Sequence, residues 1–175
     1  MKQAIISLCL FFSTISVFAQ YKTIGQEAKP DFSGTWVLDM DKSVLGRSSP
    51  PYDGVKLMIN QSTETLEVTR IVSRKKKEFS QKLVYYFDGR GESNPEMIDQ
   101  GFVRSKTGWN LNEILSQCFH SIGVVTIQSR DEWAVSKDGK SMTWITAFAP
   151  TNFDIGSRAI FDPGSSIRRV FIKTN

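Results

Sequence analysis

The stretch Glu132-Trp133-Ala134-Val135-Ser136-Lys137-Asp138-Gly139-Lys140, continuing through Met142-Thr143-Trp144-Ile145-Thr146-Ala147, decides the fold class. Apolar and polar side chains alternate on both sides of an Asp-Gly pair, and a period of two places successive side chains on opposite faces of a strand. Asp138-Gly139 between two such runs predicts a hairpin whose central residues both take positive φ, a type I′ turn. The same alternation extends upstream. Val55, Leu57 and Ile59 share one face against Lys56 and Asn60, and Ser62-Thr63-Glu64 then turns the chain into Leu66, Val68, Arg70 and Val72. Phe79, Leu83, Tyr85 and Phe87 line a face of the next strand, which stops at Asp88-Gly89 before a polar loop over 90–95. Residues 102–109, 114–120 and 124–130 read as further strands, with 109–115 open to a helical turn capped by Asn110 or Asn112. A Pro/Gly/Ser-punctuated segment, 150–166, leads to a last strand over 167–173. About eight to ten strands without crossover helices predict an all-β fold. The arrangement expected is an antiparallel up-and-down barrel, closed or nearly so, and a two-sheet β-sandwich is the alternative.

The full sequence has 175 residues, 40% of them hydrophobic and 23% charged, the proportions of one globular domain around one core. Its first 19 residues have a different character. Lys2 precedes an apolar stretch from Ala4 to Phe12, and Val17-Phe18-Ala19 supplies a small-x-small cleavage pattern, so 1–19 is expected to be a signal peptide. Export to the periplasm or the extracellular space follows from that reading, with 20–30 a flexible N-terminal segment and 31–175 a single barrel domain. A lipid anchor at Cys9 is a rival reading, disfavoured because Leu8 stands where a small residue is wanted. Removing the signal peptide takes Lys2 and Cys9 with it. The net charge falls from +4 to +3, and Cys118 is left without an internal disulfide partner. That charge is not a nucleic-acid signature, and no transmembrane segment is expected in the mature chain. One dense basic run, Arg74-Lys75-Lys76-Lys77, reads as the exposed turn between two strands, with contact to an anionic partner as its functional alternative.

Reactive groups are few. His120 is the sole imidazole, which excludes a site with two or three histidine ligands and obliges any Ser-His or Cys-His chemistry to pass through it. Cys118 stands two residues earlier, on the same face of a strand, so the two are candidates for a nucleophilic pair. Asp39 and Asp41 lack the remainder of a calcium loop, and Gly89-Arg90-Gly91 opens onto no helix that could cap a phosphate. The sequence implies no cofactor and no metal.

Ser33-Gly34-Thr35-Trp36, followed by Lys42-Ser43 and the proline loop at Pro50-Pro51, resembles the opening of a group of bacterial secreted lipocalin-like proteins of the calycin type. The hairpin from Glu132 through Lys140 and the closing Val170-Phe171 strand are similar to that group's late hairpin and last strand, while 98–130 is unmatched. The resemblance implies a barrel in which Gly34 and Trp36 are structural. It also implies an arginine of the final strand, Arg168 or Arg169, stacked on Trp36. A barrel of this size holds one small ligand or is filled by side chains. Tyr85, Phe87, Trp109 and Trp144 are the candidate ligand contacts. Three functions stand in order of expectation: non-enzymatic binding of a small, mostly apolar ligand; an envelope-associated interaction protein using the basic hairpin; and a Cys118/His120 enzyme in a barrel cavity. The sequence does not set the oligomeric state.

Overall fold

The computed structural model describes residues 28–45, 52–96, 101–122, 125–149 and 166–174. The expected signal peptide, Cys9, most of the 20–30 segment, the Pro50-Pro51 loop and nearly all of 150–166 lie outside them. Ten antiparallel strands form one sheet: β1 (Gly34–Val44), β2 (Gly54–Gln61), β3 (Thr65–Arg74), β4 (Lys77–Tyr86), β5 (Glu92–Pro95), β6 (Phe102–Asn110), β7 (Glu113–Ile122), β8 (Val125–Val135), β9 (Ser141–Phe148) and β10 (Ile167–Thr174). Their order in the sheet, β4-β3-β2-β1-β10-β9-β8-β7-β6-β5, is an up-and-down meander in which the first and last strands are neighbours. The sheet curls until its edges, β4 and β5, meet, giving a nearly closed barrel and not a sandwich.

That meeting is made by side chains. The Asn94 amide copies a strand's own pairing groups: Oδ1 accepts from Val84 N–H and Nδ2 donates to Val84 C=O, both at 2.8 Å. Glu92 accepts from Tyr86 N–H at 3.3 Å, and Gln81 Nε2 donates to Glu96 C=O at 2.8 Å. Edge groups that an open sheet would leave unpaired are thereby satisfied. The polar loop expected over 90–95 is in part this short strand β5. Its Glu-Ser-Asn-Pro sequence has no strand-forming residue, and it pairs with β4 by reach where a ladder is missing.

The hairpins expected from alternation are present, with differences in their turns. Only Gly139 takes positive φ (69°) at the Asp138-Gly139 loop, so the turn is not type I′. Its φ is set by a turn in which Gly139 N–H bonds Ser136 C=O at 2.9 Å, while Ser136 N–H bonds Ser141 C=O. The two-residue turn with both central residues at positive φ is instead Lys75-Lys76, at 48° and 63°. Leu111-Asn112 forms a tight turn where a helical turn was the alternative, and the two strands expected around 131 are one continuous β8.

The inward positions divide the barrel into two halves. At the end where β1 begins, Phe32, Trp36, Leu57, Leu66, Ile114, Trp133, Met142 and Phe171 are fully buried. The segment before β1 seals this end. Phe32 N–H bonds Gln61 Oε1 and Gln61 Nε2 bonds Pro30 C=O, so Phe32 is drawn under the strands beside Trp109. Trp36 Nε1 donates to Phe32 C=O at 2.8 Å. The cation over its ring is Lys173, with Nζ 5.2 Å from the centroid, and neither Arg168 nor Arg169 occupies that place. Arg168 is exposed and donates to Lys42 C=O, while Arg169 is drawn inward onto Trp144 at 5.0 Å. Gly34 explains its own position. At φ 127° it adopts a backbone L side chains rarely take, and a Cβ there would lie 2.7 Å from Lys173 Cε, in the path of the chain that reaches Trp36.

Candidate ligand site

Toward the opposite end the inward face turns polar, strand by strand. On β3 the inward series is Leu66, Val68, Arg70; on β7 it is Ile114, Ser116, Cys118, His120; on β8, running the other way, it is Trp133, Asp131, Ser129; on β10 it is Phe171, Arg169. The antiparallel register brings these polar residues to one level, since His120 lies near Ser129 and Arg169 pairs across to Trp144. Between them is a cavity of about 130 Å³, bounded on the apolar side by Leu83, Tyr85, Val103, Trp144 and Phe148.

Arg70, 5% exposed, gives Nε and Nη2 to Gln81 Oε1 at 3.2 and 2.6 Å, and Nη2 also reaches Pro95 C=O at 3.0 Å. Arg169 Nη1 donates to Thr146 Oγ1 at 3.1 Å. His120 is held at both nitrogens, Nδ1 to Glu96 Oε1 and Nε2 to Ser129 Oγ, each at 2.8 Å. Four buried polar atoms of residues on this wall, Asp131 Oδ1, Glu96 Oε2, Arg169 Nε and Trp144 Nε1, lack a well-formed hydrogen bond among the described residues, and the Thr146 hydroxyl and Trp144 indole N–H lie against the Asp131 carboxyl. A buried polar atom left unpaired costs about 1–3 kcal/mol, so a wall that gathers several such residues is one where an added polar group can bring gain.

Burial pushes the Asp131 carboxyl above its ordinary value, against the opposing pull of the Thr146 hydroxyl and the charges of Arg169 and His120. A carboxyl whose folded pKa is raised holds its proton more tightly in the native state, so its contribution favours folding below the unfolded pKa and is lost as pH rises through the folded one. Asp131→Asn is therefore expected to be the more stable protein at neutral pH. In denaturant unfolding between pH 4 and 8, the gap over wild type should widen with rising pH, by about 1.4 kcal/mol for each unit the pKa is raised. Parallel profiles above pH 4 would remove this account of Asp131.

Cys118 and His120, the candidates for a nucleophilic pair, line the same cavity but do not bond each other. The Cys118 thiol approaches Asp131 Oδ2 at 3.8 Å and Ser116 C=O at 3.9 Å, and both imidazole nitrogens are engaged elsewhere. Burial, then the neighbouring Asp131 charge, pushes the thiol well above its ordinary value, the reverse of what a nucleophile needs. Among the described residues no three His, Cys, Asp or Glu side chains are placed to share a metal ion. Tyr85 and Trp144 face the cavity, Tyr85 packed edge-on to Trp133 at 5.5 Å and Trp133 stacked on Trp144 at 4.3 Å. Phe87 and Trp109 are elsewhere, in the sealed end with Phe32, where Lys29 Nζ lies 5.3 Å above Trp109. Arg70, Glu96 and Asp131 were not singled out as site residues in the sequence, although Arg70 stood in the series with Val68 and Val72. Their signal was the period of two, which puts Arg70 in line with Val68 and Val72, and Asp131 in line with Ser129 and Trp133.

No family model matches the sequence, and no curated protein matches it. Among solved structures, the chain is similar to a secretory abundant heat soluble (SAHS) protein of Ramazzottius varieornatus solved from a dimer sample. The TM-score is 0.54 at 9% identity, over 84% of this chain and 98% of that one. It is equally similar to SAHS protein 4 of the same organism, with a TM-score of 0.54 at 12% identity, over 85% of this chain and 97% of that one. The barrel is lipocalin-like. At these identities the likeness extends to the fold alone, and the polar cavity of this lipocalin-like barrel is argued from its own residues.

Proposed function

We propose that the protein is an exported, non-enzymatic binding barrel, a member of the bacterial secreted lipocalin-like group that its Ser33-Gly34-Thr35-Trp36 opening resembles, and that it holds one small ligand in the cavity beside Asp131. The observation that carries the reading is the gathering of five charged or titratable side chains around one cavity, Arg70 and Asp131 buried and Glu96, His120 and Arg169 half-buried. The expected ligand changes in character. About 130 Å³ is close to the volume that accommodates a single benzene ring, and the mainly apolar lining is interrupted by charged side chains, so the expected ligand is compact, with an apolar body and one polar head. Arg70 and Arg169 face two carboxyls, one of which burial favours in its neutral form, and that balance suits an anionic or hydrogen-bond-accepting head.

Benzoate, benzyl alcohol and toluene are suitable probes in thermal unfolding. At a hundredfold excess over its dissociation constant a bound ligand stabilises by about 2.7 kcal/mol. For a chain of this length that raises Tm by roughly 5–11 °C. Benzoate is expected to give such a shift, benzyl alcohol a smaller one and toluene none, with the benzoate shift abolished in Arg169→Met. No shift from benzoate or benzyl alcohol would refute the proposal, and a shift from toluene alone would restore the apolar ligand.

A further inference from the structure

The β3-β4 hairpin projects from the end of the barrel where the cavity lies, the end opposite the sealed one. Its tip is Arg74-Lys75-Lys76-Lys77, with the three lysines exposed and none of the four in an ion pair among the described residues. Two acidic residues stand nearby. Glu78 follows on the same hairpin, and Asp53 is tied to its base by Asp53 N–H to Ser73 C=O at 2.7 Å. Lys75 and Lys76 occupy a two-residue turn with φ of 48° and 63°, a geometry that favours Asn and Gly. A non-glycine residue there costs on the order of 1 kcal/mol, and no described contact of either lysine offsets it. Local rules broken without structural compensation point to a surface kept for its chemistry.

Exposed rings share this end. Phe79 is 39% exposed on β4, two residues past the lysines, and Phe102 is 64% exposed at the start of β6. The Gln81 to Glu96 bond and the Pro95 to Phe102 pairing hold β4, β5 and β6 side by side, so both rings stand at one rim, Phe79 on the inward face with its register partner Val72 and Phe102 on the outward face, one position off the cavity-lining Val103. Ammonium groups beside exposed aromatic rings match the two layers of an anionic bilayer surface, headgroup charge outside and the apolar boundary beneath. A nucleic acid would need its basic contacts spread along a groove, and here they are concentrated on one hairpin tip.

We propose that this rim docks on the surface of a bilayer containing anionic phospholipids, with the Arg74 to Lys77 tip against the headgroups and Phe79 and Phe102 at the apolar boundary. The docking is independent of the cavity reading, and either can fail while the other stands.

Cosedimentation of the full-length mature protein tests it with two kinds of vesicle, phosphatidylcholine alone and phosphatidylcholine with an equal part of phosphatidylglycerol. Binding is expected to the mixed vesicles only and should weaken as salt rises. Each lysine near such a surface adds about fivefold, so Lys75→Gln with Lys76→Gln should weaken binding about 30-fold. Lys75→Asn with Lys76→Gly, the pair this turn favours, should bind as weakly while melting no lower than wild type, which separates lost docking from lost folding. Phe102→Ser should weaken binding without altering its salt dependence. Equal binding to both vesicles, no binding to the mixed ones, full binding by the Asn-Gly variant, or displacement from vesicles by an equal charge of short duplex DNA would each overturn the proposal.

Discussion

Trp36→Ala is expected to destabilise the barrel by about 3–5 kcal/mol, the range for truncating a fully buried tryptophan. For a chain of this length that lowers Tm by roughly 6–20 °C. Three supports fail together. The indole volume empties from the sealed end, Phe32 C=O loses its 2.8 Å donor, and Lys173 loses the ring it lies over. Trp36→Phe separates these terms, because it keeps most of the volume while removing the indole N–H. It should cost only about 1–2 kcal/mol, the penalty of one unpaired carbonyl. Equilibrium denaturant unfolding of the two variants reads the difference. An alanine variant within 1 kcal/mol of wild type would mean that Trp36 does not hold this end closed.

Asn94→Ala should cost about 2–4 kcal/mol, large for a polar residue on a four-residue strand. The side chain supplies both hydrogen bonds that Val84 would otherwise receive from a neighbouring strand, and alanine leaves that N–H and C=O without them. Asn94→Asp keeps the acceptor but not the donor and should fall between. Hydrogen exchange at Val84 gives the spatial readout: its amide should lose protection in Asn94→Ala while amides on β7 and β8 keep theirs. Uniform loss, or no loss at Val84, would contradict the role assigned to Asn94.

The hairpins were legible in the sequence because their strands bury one face, so that Val55, Leu57, Ile59 and Leu66, Val68, Val72 repeat at the sheet's period. β5 was not, because Glu92 and Asn94 act through side-chain reach, which leaves no trace in propensity. The Asp138-Gly139 pair marked a hairpin correctly but not its turn type, since one positive φ sufficed there and the type demanding two fell to lysines. At the site, the aromatic residues Tyr85 and Trp144 are brought to the cavity wall, as Phe87 and Trp109 are not, for the strands carry apolar residues at both ends and sequence alone does not give the level along the barrel axis. Asp131, and Arg70 although it stood in line with Val68 and Val72, were passed over as site residues on a sound generalisation, that charged residues face water. They break it at inward positions, where period rather than polarity was the better guide.

The sheet order carries a consequence for how the chain assembles. Every backbone ladder but one joins strands adjacent in sequence, the longest of these connections being 149–166 between β9 and β10. The exception brings Thr35 beside Thr174, nearly the whole length of the barrel domain. Residues 34–86 and 92–174 are therefore two locally wound ribbons. At the backbone they meet through one distant ladder, and at the seam between β4 and β5 through one side-chain clasp, with core packing such as Tyr85 on Trp133 between them. Loop entropy places the distant joint late in folding, and the clasp, lying across the short link between the ribbons, carries little of that cost. The rate of barrel formation thus rests on the pairing of β1 with β10, the strand that carries Arg169 into the cavity wall.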